Sequence, residues 1–103
     1  GTPVKFETTT TSYTALCFDS NINQGMVFAL MSTGTGMVRS FVVDPTDNSI
    51  SFPASKNTFA TGSPGHITAC FDTTNNVGIV AYAKSTTAYA RWVKAEVSSS
   101  QTL

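Results

Sequence analysis

Apolar and polar positions divide the chain into short stretches with strand-like periods. Ala15 to Asp19 and Thr68 to Asp72 are apolar on both faces. Gly25 to Ser32 and Val77 to Ala83 are nearly unbroken apolar runs, the first containing Met26-Val27-Phe28-Ala29-Leu30-Met31. Strands without a polar face need cover on both sides. A third stretch alternates. Tyr89, Arg91, Val93, Ala95 and Val97 share one face, with Ala90, Trp92, Lys94 and Glu96 opposite, which predicts a more exposed strand. A fourth is weak, running from Ser49 to Phe52 and on past Pro53 towards Phe59. Turn residues fill the gaps, as in Asp19-Ser20-Asn21-Ile22-Asn23-Gln24-Gly25 and Asp44-Pro45-Thr46-Asp47-Asn48. No segment keeps an amphipathic helical period beyond two turns.

These stretches occur twice. An offset of 53 residues places Phe6 on Phe59 and Cys17-Phe18-Asp19 on Cys70-Phe71-Asp72. It also matches Asn23 with Asn76, Gly25 with Gly78, Val27 with Val80 and Ser32-Thr33 with Ser85-Thr86. One residue shorter, Arg39 falls on Arg91 and Asp44 on Glu96. A period near 50 residues marks a repeat architecture in which each repeat is one supersecondary unit.

Four antiparallel strands per repeat, inner ones buried on both faces and outer ones half exposed, predict an all-β fold of two four-stranded propeller blades. The inner strands are then those holding Cys17 and Cys70, with both thiols expected buried and unbridged. A propeller needs roughly 4–8 blades, so these two belong to a larger ring, six-bladed by preference. Joining Ser100-Gln101-Thr102-Leu103 to Gly1-Thr2-Pro3-Val4-Lys5-Phe6 gives a stretch similar to Ser49-Ile50-Ser51-Phe52-Pro53 to Phe59. The chain reads as one two-repeat unit over 1–103, with repeat one about 7–59 and repeat two about 60–103 completed by 1–6. Two arrangements fit. Copies associate head to tail by N-terminal strand exchange, a trimer giving six blades, or adjoining blades follow in a longer chain.

The pattern Ala-Cys-Phe-Asp-x-x-x-Asn-x-Gly followed by five apolar residues (Ala69 to Ala83) resembles a tandem β-propeller repeat. A Ser/Thr/Gly turn, an alternating strand and a Ser-(apolar)-Ser-Phe strand extend the resemblance over nearly the whole chain. Such repeats occur in structural, tail-fibre and capsid-surface proteins of bacteriophages and other environmental viruses. Leu16, where the second copy has Ala69, and the weak outer strand depart from the pattern. The resemblance implies a blade fold on a virion surface or in an extracellular setting. It carries over no catalytic residue.

Composition sharpens the picture by exclusion. Among 103 residues, 17 are Thr, 12 Ser and nine Val against three Leu, a mixture that favours strands over helices. Net charge is zero with six scattered basic residues, which argues against nucleic-acid binding. No apolar run approaches the ~20 residues of a spanning helix, so membrane insertion is not expected. The two Cys, 53 apart, form neither a disulfide scaffold nor a zinc pattern.

Candidate chemistry is sparse. His66, the sole histidine, aligns with Tyr13 just before an inner strand, without the spacing of a Ser-His-Asp set, and reads as a surface loop residue. Asp19 and Asp72 recur like paired glycosidase carboxylates. Each is followed by Asn at +4 and Gly at +6, which reads as a hairpin turn with Gly taking positive φ. Asp44-Pro45-Thr46-Asp47-Asn48 offers calcium-type oxygens without an EF-hand spacing, and its counterpart Glu96-Val97-Ser98-Ser99 lacks the second carboxylate. No catalytic residue, metal or cofactor is assigned. The chain therefore reads as a non-enzymatic structural or adhesion propeller module, of a viral fibre or capsid surface. The alternative is a lectin. Tyr82, Tyr89, Arg91 and Trp92 supply aromatic faces and a guanidinium suited to a glycan, and two-blade chains that trimerise into six-bladed lectins give a precedent.

Overall fold

The computed structural model describes residues 1–94. The third-strand positions Ala95 and Val97, together with Glu96 and the Ser100–Leu103 end, lie outside the described residues. The described chain is all-β, with eight strands in two antiparallel sheets and no closed sheet. The first sheet joins β1 (Thr11–Asp19), β2 (Gln24–Met31) and β3 (Gly36–Val43) in chain order. The far edge of β3 pairs with both β4 (Ile50–Ser51) and β5 (Asn57–Ala60). This is the weak fourth stretch of the sequence, split where Pro53 cannot donate to the ladder. The second sheet joins β6 (Gly65–Asp72), β7 (Val77–Lys84) and β8 (Thr87–Val93).

The repeat survives in the strand register. Val27 pairs with Arg39 in the first sheet and Val80 with Arg91 in the second, so residues 53 and 52 apart in sequence take the same place. The lost residue lies in the second turn of each sheet. Three residues, Ser32 to Gly34, link Met31 to Thr35, whose backbones bond at 2.9 Å. Only Ser85 and Thr86 link Lys84 to its partner Thr87. β1 and β6 each carry a bulge at the same place, with Tyr13 (φ 51°) and His66 (φ 48°) in the left-handed region. His66 is thus exposed but inside a strand, not in a loop before one.

Alternation decides which side chains meet. Cys17, Met26, Phe28 and Val38 point from the first sheet onto Ile67, Val80 and Val93 of the second, forming the core with Phe59 from β5. β1 runs alongside β6. Phe59 meets Phe28 edge-on at 5.6 Å and Tyr82 at 5.3 Å, wedged between the sheets. Gly78 permits the approach, since a Cβ there would lie 2.5 Å from Met26 Cε and 3.1 Å from Cys17 Sγ. Burying these apolar surfaces is the main stabilising term, about 25 cal/mol per Å².

Cover is unequal. β2 is buried along most of its length, as its apolar run requires. β7 is buried only at Gly78 and Val80, which face the first sheet. This corrects the expectation for the thiols. Both cysteines are free and Cys17 is buried, but Cys70, its repeat counterpart, is exposed. The second sheet covers Cys17, whereas no described residue covers the far face of the second sheet, where Cys70 lies.

Candidate functional site

Among the described residues, the far face of the second sheet exposes an apolar row that includes Trp92. Period-2 alternation brings Cys70, Ile79 and Trp92 into one cross-strand row, because Cys70 pairs with Ile79 and Ile79 with Trp92. Thr68, Ala81 and Ala90 form the next row. Trp92 is 64% exposed although every neighbour in its row is apolar or a thiol. Beside it lies an open depression of about 430 Å³, lined by Asp72, Asn75, Val77, Ile79, Trp92 and Lys94.

The rim is set by the β6–β7 turn. Asp72 Oδ1 accepts from the backbone N–H groups of Thr74 (2.9 Å) and Asn75 (3.2 Å), and Asp72 Oδ2 from Asn75 Nδ2 (2.7 Å). The Asn75 side chain, then the backbone amides, hold the Asp72 carboxyl below the usual carboxylate range. Asp19 holds its own turn through Asn21 N at 2.9 Å. The positive φ of these turns falls on Asn23 (54°) and Asn76 (56°), not on the glycines expected to take it. The side chains of Asn21 and Asn76 bond to one another across the two turns.

The four residues grouped as a glycan platform do not share a face. Tyr82 and Tyr89 are a cross-strand pair, stacked at 5.7 Å and 17°, with Lys84 Nζ 5.2 Å from the Tyr89 ring. Tyr82 continues into the core against Phe59. Arg91 spends its guanidinium on the Phe59 carbonyl, Nη1 donating at 2.7 Å. Trp92 stands alone on the opposite face. Its partners there, Ile79 and the rim of Asp72, Asn75 and Lys94, were missed because aromatics were grouped by composition. The repeat held the signal, since Cys70, Ile79 and Trp92 are the counterparts of Cys17, Met26 and Ser40.

The remaining candidates form local structure. Asp44 Oδ1 accepts from Thr46 N (2.9 Å) and Oγ1 (2.7 Å), and Asp47 Oδ1 from Ser49 N (3.0 Å), so both carboxyls are lowered by their own turn. Among the described residues, no group of three His, Cys, Asp or Glu side chains gathers as metal ligands. The uncovered face can stack and hydrogen-bond a partner, while its one carboxylate is engaged by the turn. Compared with protein-family models, curated proteins and solved structures, the chain finds no match.

Proposed function

We propose that the chain is a two-blade unit of a larger β-propeller with a non-enzymatic structural or adhesion role. The supporting observation is the equivalence of two arginine bonds. Arg91 donates to the Phe59 carbonyl at 2.7 Å, and Arg39 donates to the Phe6 carbonyl at 2.9 Å. Sheets stacked face to face, with one contact repeated at one period, are how blades follow one another around an axis. The viral-surface setting, fibre or capsid, rests on the repeat resemblance.

A second reading is a glycan-binding module, favoured by one observation: an exposed Trp92 beside the polar rim of Asp72, Asn75 and Lys94. Trp92, the sole tryptophan, reports directly on this question. Titrating mono- and oligosaccharides to millimolar concentration while following its fluorescence leaves the signal flat for the structural module. Saturable quenching, lost in Asn75→Ala, overturns that reading in favour of a lectin.

A further inference from the structure

β5 joins the two sheets. Its backbone pairs with β3 through Gly36–Ala60, Met37–Thr58 and Val38–Asn57, and its Phe59 carbonyl accepts from Arg91 of the other sheet. It is the outer strand of one sheet held by the arginine of the next.

Val4 to Glu7 are the repeat counterparts of Asn57 to Ala60. Their arginine contact is in place, with two local contacts beside it. The Phe6 carbonyl accepts from Arg39, the Phe6 ring lies 6.0 Å from Phe52, and Lys56 Nζ pairs with Glu7 Oε1 at 2.6 Å. Yet Val4 to Glu7 belong to no strand. The matching edge, the side of β8 corresponding to the β5 side of β3, has no partner among the described residues. An anchored segment without a ladder and, among the described residues, an outer edge without a strand therefore occur in one molecule, and they match by repeat.

The exposed apolar faces match in the same way. On the second sheet the open row is Cys70, Ile79 and Trp92. At the far side of the first sheet, Leu16 is 62% and Phe18 40% exposed. Their counterparts, Ala69 and Phe71, pack against the core between the sheets. The existing contact between sheets is thus a template with one donor face and one acceptor face. Among the described residues the molecule leaves uncovered the β1 end of a second donor face, at Leu16 and Phe18, and the row of Cys70, Ile79 and Trp92 on a second acceptor face. Val27, Ala29 and Met37, farther along that donor face, are buried. Side-chain sizes differ, with Trp92 for Ser40 and Leu16 for Ala69, so the template fixes topology and register.

We propose that a second copy of this chain docks head to tail on the uncovered face. Val4 to Glu7 of one copy pair with β8 of the other, and Leu16 and Phe18 cover Cys70, Ile79 and Trp92. The inference rests on the propeller-unit reading and names the partner that completes it. Transferring the β3–β5 register sets Ala88 opposite Glu7, Tyr89 opposite Lys5 and Ala90 opposite Val4. The arginine–carbonyl bond to Phe6 stays within its own copy, so docking does not require it to break. The contact is heterologous and closes into a ring if its rotation closes, three copies giving six sheets.

The test mixes two single variants in a Cys70→Ser background, Val4→Cys and Ala90→Cys. Cross-strand Cα separations of about 4.5–5.5 Å lie within disulfide reach, so the pair should link between copies under mild oxidation. Thr87→Cys, off register, should link far less. Light scattering of the unmodified chain should give about three times the 10.9 kDa chain mass. Alkylation of its Cys70 should slow at least about tenfold between about 1 and 300 µM, as mass action buries the thiol. This last measurement keeps the test decisive if a cysteine variant fails to fold. A chain that stays monomeric, with Cys70 equally reactive throughout and no Val4–Ala90 link, overturns the inference and leaves the propeller-unit reading standing. Saturable quenching of Trp92 by a sugar on that monomer overturns the inference and replaces the structural role with that of a lectin.

Discussion

Tyr13 and His66 face one another with ring centroids 5.4 Å apart, and both occupy the left-handed region of φ. They are counterparts one repeat apart, each at the bulge of the strand that lines the meeting edge of its sheet. A bulge increases local twist and re-aims a side chain, and two in register turn both rings towards the same gap. β-branched residues resist positive φ most strongly. His66→Val or Tyr13→Val should therefore cost about 1–3 kcal/mol. His66→Gly should cost less, because relieved backbone strain offsets the lost ring contact. Urea denaturation of the three variants checks the order.

Gly78 and Met26 should behave as a coupled pair. Gly78→Ala forces the Met26 methyl aside in a closed core, an overpacking cost of about 1–3 kcal/mol. Met26→Ala alone opens a cavity and costs about 2–5 kcal/mol. The double variant should lose less than the sum, since the new methyl enters the space the thioether leaves. Additive losses in thermal unfolding would count against this packing.

Arg91→Met keeps the aliphatic stem but leaves the Phe59 carbonyl without its charged donor. We expect a loss of about 1.5–3 kcal/mol, the range for hydrogen bonds to charged groups. Arg39→Met removes two such bonds, to Phe6 and Ala54, and the stacking of its guanidinium 5.1 Å over Phe52. It should free the N-terminal segment, read as faster hydrogen exchange or proteolysis before Thr11.

Glu7 and Cys17 carry the largest shifts at the two ends of the pH profile, with Asp44, Asp47 and Asp72 adding to the acid limb. Bonds from Lys56 and then Thr9 lower the Glu7 carboxyl from 4.5 to about 2. The folded state therefore releases this proton more readily than the unfolded chain. Its stabilisation is complete above about pH 4.5 and lost as pH falls towards 2. Glu7→Gln should make that limb of a stability–pH curve shallower, leaving the part that Asp44, Asp47 and Asp72 contribute. Burial, then the proximity of Cys70 and Asp19, raises the Cys17 thiol from 9.0 to about 11. Its contribution is present below pH 9 and declines as pH rises towards 11. Cys17→Ala should remove the alkaline limb, and alkylation at pH 8 should leave Cys17 untouched in the folded chain.

What the sequence disclosed was whatever depends on neighbours along the chain. The offset of Cys17-Phe18-Asp19 and Cys70-Phe71-Asp72 carried the two sheets, and the single-residue shift at Arg39 and Arg91 carried the shortened turn. The sequence pattern runs the fourth stretch on past Pro53, where the structure separates β4 from β5. Properties set by what lies across a gap were less legible. Cys17 and Cys70 have nearly the same local context and opposite burial, because the face holding Cys17 is covered by the second sheet and, among the described residues, the face holding Cys70 is not. The turn glycines were assigned positive φ, a role that Asn23 and Asn76 fill. At Gly78 the missing side chain instead makes room for Met26 and Cys17. For Tyr82, Tyr89, Arg91 and Trp92 the period-2 rule already separated Trp92, and shared chemistry had obscured it.

The position of β5 has a consequence for how the chain unfolds. Its ladder belongs to the first sheet, its ring fills the space between the sheets, and its carbonyl is held by the second. Neither sheet can be released while the other keeps its full set of bonds. Denaturation of the two should coincide as one transition. Those amides of β5 that donate to β3 should then exchange only when the entire molecule opens, which makes this four-residue strand the latch on cooperativity.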